Sequence, residues 1–560
     1  MKNRILGENW HWKIVLTLFF FAFAYSYYAV VSYTDLFYEV QFLHTDFLAG
    51  LIQKNLDLRT IVTTFGEHLV IGYNLVLAAN YYLATLWAGF DAVVSVVCTI
   101  AIATLVVSSC GKVSGLSDLR KFILSISSIL LLLSVTNNVA YGMWLSASIG
   151  VLLFVAGMYS LQANFQSSAN VPMSQSLKVY FLLYIASVFF LGGYAVGAIS
   201  SAFLIGMLRY KKSENKEGLG LIITALLALV SYVYLAAEYG HLFSNKPNVD
   251  QFNFWSFLNH VLIMVGSSVI GKAFHEAGGA IWAYYLVSFV LLSWSVVFLI
   301  SALRQARNTN YFMIGIFCYS VTNVLFVAFF RYRYGMPDGQ WYNVHTNFIG
   351  VVVCFYILIT ADRQSLKSIL LRGSSLVVIL IMALLGYQSD WRKAPYIPGW
   401  KQQFIDQVPA LLAFPSMLND TSNSVNTMLY GYNEVKGGVT LMYVNHLWFF
   451  KNQPLYFGLE DNFWIHRGEP AYIVCPRHSR AVSFELYRPL EWSKMEVDVS
   501  VGMKKQAVKV NDGRLTYYFG NEMPVVLFQG RSVGLEGEKL IVDGTDTGKI
   551  IAHIDQVVCR

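Results

Sequence analysis

The sequence predicts a polytopic α-helical membrane protein with about eleven transmembrane helices, followed by an extracytoplasmic, β-rich C-terminal domain. Of its 560 residues, 56% are hydrophobic and only 13% are charged, and the mean hydropathy is +0.50. A water-soluble domain does not hide so much apolar surface, so the chain belongs in a lipid bilayer. The apolar runs stop near residue 390, where charged residues and strand-like patterns begin. We therefore expect a transmembrane domain at 1–389 and a second domain at 390–560.

The first apolar run, 14–33, follows Lys2, Arg4 and Lys13. Basic residues collect on the cytoplasmic side of a membrane helix, so the N-terminus is predicted to be cytoplasmic. The polar stretch 34–68 then lies on the external side.

The remaining predicted spans follow the other apolar runs of the sequence. They are 69–87, 90–110, 122–136, 140–160, 179–208, 219–237, 280–303, 311–330, 344–361 and 370–388. The long uncharged run 179–208 is interpreted as one tilted helix. The apolar piece 252–271 is interpreted as re-entrant or interfacial, because a full crossing there would place Arg304 and Arg307 outside. Eleven crossings put the C-terminal domain on the external side.

One group of charges conflicts with this topology. Lys112, Arg120 and Lys121 fall on the external side, whereas the basic loop 209–218 falls in the cytoplasm. If 69–87 instead lies along the membrane surface, the loop that contains Lys112 moves to the cytoplasm, and the parity of the later spans needs repair elsewhere. The sequence alone leaves both arrangements open.

The C-terminal domain is predicted to be a β-sandwich, because turn signals such as Asn511-Asp512-Gly513 separate short strand-like runs. The predicted strands are Ala471–Cys475, Ser483–Tyr487, Met495–Val501, Gln506–Val510, Leu515–Phe519 and Lys539–Val542. Cys475 and Cys559 both lie in this domain, and two cysteines outside the cytoplasm can form a disulfide. None of the six cysteines has the CxxC spacing of zinc and iron–sulfur sites.

The candidate catalytic residues begin in the polar stretch 34–68, where acidic and imidazole side chains are concentrated at the membrane boundary. A general base must lie within hydrogen-bond reach of the hydroxyl that it deprotonates. Asp46 precedes the apolar segment FLAGLI, which can hold it against the membrane, and Asp35 is the competing carboxylate. The alternatives are structural, with Asp46 as the N-cap of a helix and Asp35 as a cap of the first span.

A second acidic motif, Phe65-Gly66-Glu67-His68, directly precedes the apolar run 69–87. A glutamate at the start of a helix gains from the helix dipole, so a structural role for Glu67 is one interpretation. The imidazole of His68 beside it favours a catalytic pair.

A basic and aromatic motif, Arg331-Tyr332-Arg333-Tyr334, stands at the external end of a late span, with Trp341 shortly after it. Arginine forms bidentate, charge-assisted bonds with phosphate, and aromatic rings seat lipids and sugars. Arg331 and Arg333 are therefore candidate ligands of a donor phosphate, and Tyr332, Tyr334 and Trp341 are candidate lipid or sugar contacts. Interfacial anchoring by snorkelling arginines is the alternative interpretation.

Metal and nucleic-acid sites find little support in the sequence. The external piece 238–278 contains His241, His260 and His275, but their spacing matches no metal motif, and no metal site is predicted. No basic helix or stripe indicates nucleic-acid binding.

Over roughly residues 1–390, the layout of these motifs resembles the GT-C clan of glycosyltransferases. Members of this clan begin with one helix and a long external loop that carries a catalytic aspartate, to which Asp46 corresponds here. In one bacterial branch an E-H motif, often E-H-R, precedes the next helix; Glu67-His68 is similar to it, with Leu69 in place of the arginine. The same branch has an R-Y motif before its last helices, which Arg331-Tyr332 resembles, and whose arginine is thought to hold the lipid phosphate.

The resemblance implies an inverting glycosyltransferase that transfers a sugar from a polyprenyl-phosphate donor to a surface polysaccharide or another extracytoplasmic glycan. Within the clan, the chain most resembles the serotype-converting glucosyltransferases, which modify lipopolysaccharide O-antigen and similar surface polysaccharides. The implied partners are membrane lipid, a polyprenyl-phosphate sugar and a polysaccharide acceptor. The implied location is the bacterial inner membrane, with the C-terminal domain in the periplasm. Apart from the lipid-linked donor no cofactor is implied, and dependence on a divalent metal stays open.

Two other classes of membrane protein are alternatives. A lipid or oligosaccharide flippase or transporter uses ionisable residues in the middle of the membrane and often has repeated halves. The predicted spans carry almost no charges near their centres, and the sequence shows no repeat. A non-catalytic subunit of an envelope assembly complex would keep its role without Asp46, Glu67 and Arg331.

Overall fold

The structure is a computed structural model that describes most of the apolar helices and most strands of the C-terminal domain. The described residues are 45–62, 64–65, 68–84, 86, 88–111, 117–133, 143–166, 172–211, 215–239, 252–271, 274–275, 278–304, 310–332, 340–360, 366–393, 455–457, 464–466, 470–475, 479–487, 496–501, 504–509, 513–519, 525–531, 541–542, 545–546 and 550–560. The predicted first span, 14–33, lies outside them.

The chain divides into two compact units. The first comprises Met1–Tyr38, Gly50–Ala84 and Ala88–Ile397, and the second comprises Glu39–Ala49, Thr85–Trp87 and Pro398–Arg560.

The described helices follow one another along the chain, with one short hairpin near the start. Two short helices come first, α1 (Thr45–Gln53) and α2 (Leu58–Ile61), followed by the hairpin strands β1 (Thr64–Phe65) and β2 (His68–Leu69). The helices of the bundle are α3 (Ile71–Ala84), α4 (Ala88–Gly111), α5 (Asp118–Leu133), α6 (Met143–Gln166), α7 (Met173–Ile185), α8 (Ala195–Tyr210), α9 (Asn215–Tyr239), α10 (Phe254–Ile270), α11 (Trp282–Arg304), α12 (Tyr311–Arg331), α13 (Gln340–Thr346), α14 (Phe348–Ile359) and α15 (Leu366–Lys393).

Among the described residues, seven helices are long and apolar enough to cross a membrane. They are Ser146–Asn164, Met173–Phe190, Gly192–Tyr210, Lys216–Tyr239, Trp282–Ala302, Tyr311–Arg331 and Ile369–Gly386. Three shorter apolar helices are Val93–Ser109, Phe254–Ile270 and Asn343–Ile359. The first unit is therefore a polytopic membrane bundle, as predicted.

Contacts between neighbouring helices define two ends of the bundle. Arg209 on α8 and Glu217 on α9 form an ion pair where these two antiparallel helices meet, which we name the Arg209 end. α12 runs antiparallel to α8, because Ser201 donates a hydrogen bond to the carbonyl of Gly315 and Gly197 packs against Asn323. α12 therefore ends at the opposite side of the bundle, which we name the Arg331 end.

The prediction of one tilted helix at 179–208 is wrong. α7 continues as one π-helical turn, Ala186–Phe190, and a single 3₁₀ turn, Gly192–Tyr194, separates it from α8. Tyr180 donates to the carbonyl of Glu217 at the Arg209 end. At the Arg331 end, Phe189 of the π-helical turn and Tyr239 of α9 pack against the same apolar cluster. Because α7 is thus parallel to α9 and α8 is antiparallel to it, the run folds back on itself at Gly192. The positive φ of 54° at Gly192 suits glycine, and an unbroken helix over 179–208 would measure about 45 Å, more than the bilayer core of about 30 Å.

The prediction of a span at 69–87 is wrong as well. α3 begins at the Arg331 end, where a side chain on Gly72 would meet the carbonyl of Phe189. α5 ends at the same side, because Leu131 contacts Asn347 and Gly350. Since short connections join α4 to α5 and α3 to α4, α4 runs from the Arg331 end to the Arg209 end, and both ends of α3 lie at the Arg331 end. With 14 residues, α3 is about 21 Å long, too short for a full crossing.

One of these corrections removes a predicted crossing and the other adds one, so together they leave the predicted number of crossings unchanged. They also place Arg120 and Lys121 at the same end of the bundle as Arg209. The end of α4 at Gly111 and the start of α5, with Arg120 and Lys121, lie at the Arg209 end, whereas Lys112 lies outside the described residues. Within the described part of the chain, ten segments run from one end of the bundle to the other, namely α4 to α9, α11, α12, α13 with α14, and α15. The alternative in which 69–87 does not cross the membrane is therefore the one that the contacts support.

α10 agrees with the prediction of a re-entrant or interfacial piece at 252–271. Just before its start, Phe252 contacts Phe329 and Tyr332 at the Arg331 end, at ring distances of 5.9 and 5.5 Å. At its other end, Ile270 meets Gly386 of α15. α15 begins at the Arg209 end, where Arg372 donates to the carbonyl of Thr360, so Gly386 lies towards the Arg331 end. Both ends of α10 are thus in the same half of the bundle.

The second unit contains the predicted β-sandwich. Its strands are β3 (Leu455–Phe457), β4 (Trp464–His466), β5 (Pro470–Val474), β6 (Ala481–Tyr487), β7 (Glu496–Val501), β8 (Lys504–Lys509), β9 (Arg514–Tyr518), β10 (Val525–Arg531), β11 (Ile541–Val542), β12 (Thr545–Asp546) and β13 (Ile550–Cys559). The orders β3-β5-β10-β7-β8 and β4-β13-β6-β9 make two antiparallel sheets, and β11 pairs with β12. Ile473, Val499 and Phe528 of one sheet share a core with Phe484 and Ile554 of the other.

A disulfide between Cys475 and Cys559 joins the two sheets, with 5.7 Å between their Cα atoms. Cys475 follows β5 of the five-stranded sheet, and Cys559 ends β13 of the four-stranded sheet. The predicted pairing of these two cysteines is confirmed.

Candidate active site

Asp46, the first candidate base, lies in the first turn of α1, which begins at Thr45. The residues before Thr45 lie outside the described part of the chain, so the interpretation of Asp46 as a helix cap stays an untested alternative. Phe47, Leu48 and Leu51 of the same helix are buried, which holds α1 in place. The competing carboxylate, Asp35, lies outside the described residues.

Asp57, another acid of this loop, has a structural role. Its carboxylate accepts a hydrogen bond of 2.7 Å from the backbone N–H of Thr60, and the Thr60 hydroxyl is 3.3 Å from the backbone nitrogen of Asp57. These contacts form a capping box at the start of α2. The Thr60 backbone N–H lowers the pKa of the Asp57 carboxyl. The cap is therefore present at neutral pH and is lost as the pH falls through that lowered pKa.

Phe65 and His68 of the second acidic motif belong to a two-stranded hairpin. Phe65 pairs with His68, and Thr64 pairs with Leu69. α3 begins at Ile71. Glu67 itself lies outside the described residues.

The hairpin is fixed to the Arg331 end of the bundle. Leu69, at the end of β2, is buried in a cluster with Val62, against which Phe189 and Tyr239 pack. Asn74 of α3 donates from Nδ2 to the backbone carbonyls of Thr60 and Ile61, at 3.2 and 2.9 Å. The backbone of His68 is thereby held at the same end of the bundle as Arg331.

Arg331, the first candidate phosphate ligand, is the last residue of α12 and is half-buried. Tyr332 closes this helix, because its backbone N–H donates to the carbonyl of Ala328. The ring of Tyr332 meets Phe252 edge to face, so an aromatic group stands beside the arginine. Arg333 and Tyr334 lie outside the described residues, and Trp341 lies in α13.

The structure also reveals a polar segment, Asn343–Asn347, that the sequence analysis missed. Asn343, His345, Thr346 and Asn347 are all buried at the junction of α13 and α14. The sequence does contain a signal for this segment, because four polar residues stand at the start of an otherwise apolar run. Polar residues inside membrane helices are costly and commonly functional.

The imidazole of His345 forms the centre of this polar segment. The Tyr194 ring stacks on it with 3.6 Å between centroids, and the Tyr319 hydroxyl lies 2.5 Å from its Nδ1. Ser320 donates to the backbone carbonyl of His345 at 2.6 Å. Asn347 donates from Nδ2 to the carbonyl of Leu131 at 2.6 Å. The segment therefore connects α5, α8 and α12 through polar contacts.

The structure thus brings some predicted site residues together. The β2 strand with His68 lies at the Arg331 end of the first unit, as do Arg331 and Tyr332. The polar segment lies deeper, against Tyr319 and Ser320 near the middle of α12. Asp46 belongs to a stretch grouped with the second unit. Among the described residues, no group of three or more His, Cys, Asp and Glu side chains could hold a metal ion.

Comparison with solved structures shows a distant likeness in fold. The chain is similar to ArnT from Cupriavidus metallidurans bound to undecaprenyl phosphate, with a TM-score of 0.41 and 10% sequence identity, over 79% of this chain and 92% of that chain. No protein-family model matches the sequence, and no curated protein matches it.

Proposed function

We propose that the protein is an integral-membrane glycosyltransferase that transfers a sugar from a polyprenyl-phosphate donor to an extracytoplasmic glycan with inversion at the anomeric carbon. The observation that carries this proposal is the position of two separate motifs. The hairpin strand with His68 and the arginine at the end of α12 are more than 260 positions apart, yet both belong to the Arg331 end. A membrane bundle with ionisable and aromatic groups gathered at one end is suited to a lipid-linked substrate whose polar head lies at that surface.

The Arg331 end is proposed to face the outside of the cell. Arg120, Lys121, Arg209, Lys211 and Lys216 belong to the Arg209 end, which the positive-inside rule assigns to the cytoplasm. α15 begins at that end and leads towards the other, after which the second domain follows. The Cys475–Cys559 disulfide of that domain fits an oxidising compartment such as the periplasm.

In the proposed reaction, the carboxylate of Asp46 accepts the proton of an acceptor hydroxyl, and that oxygen attacks the anomeric carbon of the donor sugar. The bond between the anomeric carbon and the phosphate oxygen breaks, and polyprenyl phosphate leaves with the electron pair. Phosphate is a stable anion, so the leaving group needs no general acid. The guanidinium of Arg331 stabilises the charge that grows on it.

The remaining predicted residues have supporting roles in this proposal. Glu67 and His68 orient the acceptor or the donor, and Arg333 is a second phosphate ligand. Tyr332, Tyr334 and Trp341 seat the lipid or the sugar. The serotype-converting subfamily, with O-antigen as acceptor in the bacterial inner membrane, is the finer form of the proposal.

A transfer assay tests the proposal. Purified full-length protein in lipid nanodiscs is incubated with polyprenyl-phosphate hexoses, radiolabelled in the sugar, and with a panel of acceptor glycans. We expect label to move to a glycan and unglycosylated polyprenyl phosphate to be released in equal amount. If no donor and acceptor pair gives transfer, while the same lipids are moved across the bilayer, the protein is a flippase and the proposal is wrong.

A further inference from the structure

We infer that the buried segment Asn343–Asn347 forms a binding site for an uncharged, hydroxyl-bearing sugar ring near the middle of the bundle, level with Ser320 of α12. This inference rests on the proposed function and deepens it, since it names a sugar site and the class of sugar that the site accepts.

Three side chains of this segment present polar atoms to one place. Asn343, Thr346 and Asn347 are spaced i, i+3 and i+4, so they share one face of the helix. Asn347 donates to the carbonyl of Leu131, and Gly350, one turn later, contacts Leu131 and Val269. The shared face is thus directed towards α5 and α10.

Each of these side chains keeps an unused hydrogen-bonding atom. Among the described residues, Oδ1 of Asn343, Oγ1 of Thr346 and Oδ1 of Asn347 have no hydrogen-bond partner. The three residues are 3%, 1% and 1% exposed. A buried polar atom without a partner carries its full desolvation cost, and native interiors satisfy nearly all such atoms with protein, water or ligand. Three of them on one face indicate a partner that binds there.

The chemistry of the face selects that partner. The carboxamides and the hydroxyl offer both donors and acceptors, which match the hydroxyl groups of a sugar. A carboxylate or phosphate ligand would call for arginine or lysine, and an amino sugar would call for aspartate or glutamate. Within the described part of the chain, the groups that bond to or stack on the segment belong to Leu131, Tyr194, Tyr319 and Ser320, and none of these four residues carries a carboxylate, ammonium or guanidinium group. The site therefore fits a neutral hexose better than a uronic acid or an amino sugar.

Equilibrium binding to the full-length protein in nanodiscs tests this inference. The probes are neutral hexosyl phosphopolyprenols, the glucuronyl counterpart and unglycosylated polyprenyl phosphate. We expect the wild type to bind at least one neutral hexosyl lipid about tenfold more tightly than polyprenyl phosphate, as one or two added hydrogen bonds allow. Thr346→Val and Asn343→Leu should abolish this preference and leave the affinity for polyprenyl phosphate unchanged, whereas Arg331→Ala should weaken the binding of every lipid.

Two further variants separate a sugar site from a polar core. Thr346→Ser keeps the hydroxyl and should keep the preference. Thr224→Val removes a buried hydroxyl that donates to the carbonyl of Gly220 within its own helix, and it should change none of the affinities. The inference is wrong if the wild type shows no preference, if the glucuronyl lipid binds best, or if Thr346→Val and Asn343→Leu keep the wild-type preference. The transfer assay on the wild type is independent of these binding measurements. A failed sugar-site inference would therefore leave the proposed glycosyltransferase function open to its own test.

Discussion

Arg209 of α8 and Glu217 of α9 form an ion pair of 2.7 Å beside the connection between two antiparallel helices. The guanidinium of Arg209 also lies 5.8 Å from the centre of the Tyr311 ring. The side chain of Arg209 is buried, while that of Glu217 is 25% exposed. A buried guanidinium needs a compensating charge, so this pair holds the first turn of α9 against the last turn of α8 and against α12.

Glu217→Gln is therefore expected to destabilise the bundle. The variant removes the carboxylate and leaves the buried guanidinium with weaker neutral partners, and because Glu217 is partly exposed we expect a loss of about 2 kcal/mol, below the range for fully buried pairs. The apparent melting temperature in detergent measures the loss. Lys216→Gln, at the exposed neighbouring position, is the control and should melt as the wild type does. Equal melting temperatures for the two variants would show that the ion pair adds nothing.

Gly197→Ala is expected to loosen the contact between α8 and α12. A Cβ at this position would lie 2.4 Å from Nδ2 of Asn323 and 2.6 Å from the backbone oxygen of Tyr319. The helices would have to separate, at a cost of about 1–3 kcal/mol. Gly373→Ala is the matched control, because nothing lies within 4 Å of its Cβ and alanine is the better helix former. Thermal unfolding compares the two, and a Gly197→Ala protein as stable as Gly373→Ala would contradict the packing.

Cys475→Ser combined with Cys559→Ser is expected to destabilise the C-terminal domain. The disulfide closes a loop with a sequence separation of 84, which the chain-entropy model values at about 4–5 kcal/mol. Protease resistance of the domain in the full-length protein measures the effect. Cys98→Ala, which removes a buried free thiol of the bundle, serves as the control.

The same pair of cysteines reports on the compartment. In denatured, unreduced protein isolated from cells, thiol reagents should label neither Cys475 nor Cys559. Labelling of both cysteines would contradict the extracytoplasmic position of the domain, as would strong activity of a C-terminal reporter that works only in the cytoplasm.

Asp46→Asn and Arg331→Ala are expected to separate the two catalytic roles. Asp46→Asn keeps the shape of the side chain but removes the proton acceptor, so turnover should fall by about 100-fold or more with little change in donor affinity. Arg331→Ala removes a phosphate contact, so donor affinity should fall, and Arg331→Lys should restore it only in part.

Two other aspartates serve as comparisons in this experiment. Asp57→Asn keeps an acceptor for the Thr60 cap and should turn over normally. Asp35→Asn should reduce turnover only slightly. An inactive Asp35→Asn beside an active Asp46→Asn would transfer the role of base to Asp35, and normal turnover in all variants would refute the proposed site.

The topology could be predicted from apolar runs and basic loops because hydrophobicity and charge set which segments enter the bilayer. The errors at 69–87 and 179–208 have the same cause, since hydropathy does not show where a chain reverses its direction. Gly192-Gly193 was the only local hint of the reversal between α7 and α8, and α3 is apolar because it packs against the bundle rather than because it crosses it. The β-sandwich and the Cys475–Cys559 pairing could be foreseen from strand patterns and the shared domain.

The candidate site could be predicted only in part. Arg331 and Tyr332 stand out in sequence because charged and aromatic residues mark a membrane surface. Asn343, His345 and Thr346 do not stand out, because their role depends on Tyr194 and Tyr319, which lie on other helices and are brought to them only by the fold.

The position of β13 has a consequence for how the protein is made. β13 lies in the middle of its sheet, between β4 and β6, although it follows every other described strand in the chain. Its end also carries Cys559, and the backbone of Arg560 bonds to Arg480 and Ala481. During biosynthesis the sheet cannot close, nor the disulfide be oxidised, until residues 550–560 have left the ribosome and passed the translocation channel. In the topology that we propose, the bundle is inserted while the C-terminal domain is still an open chain, so folding of that domain would depend on chaperones and oxidases outside the cytoplasm.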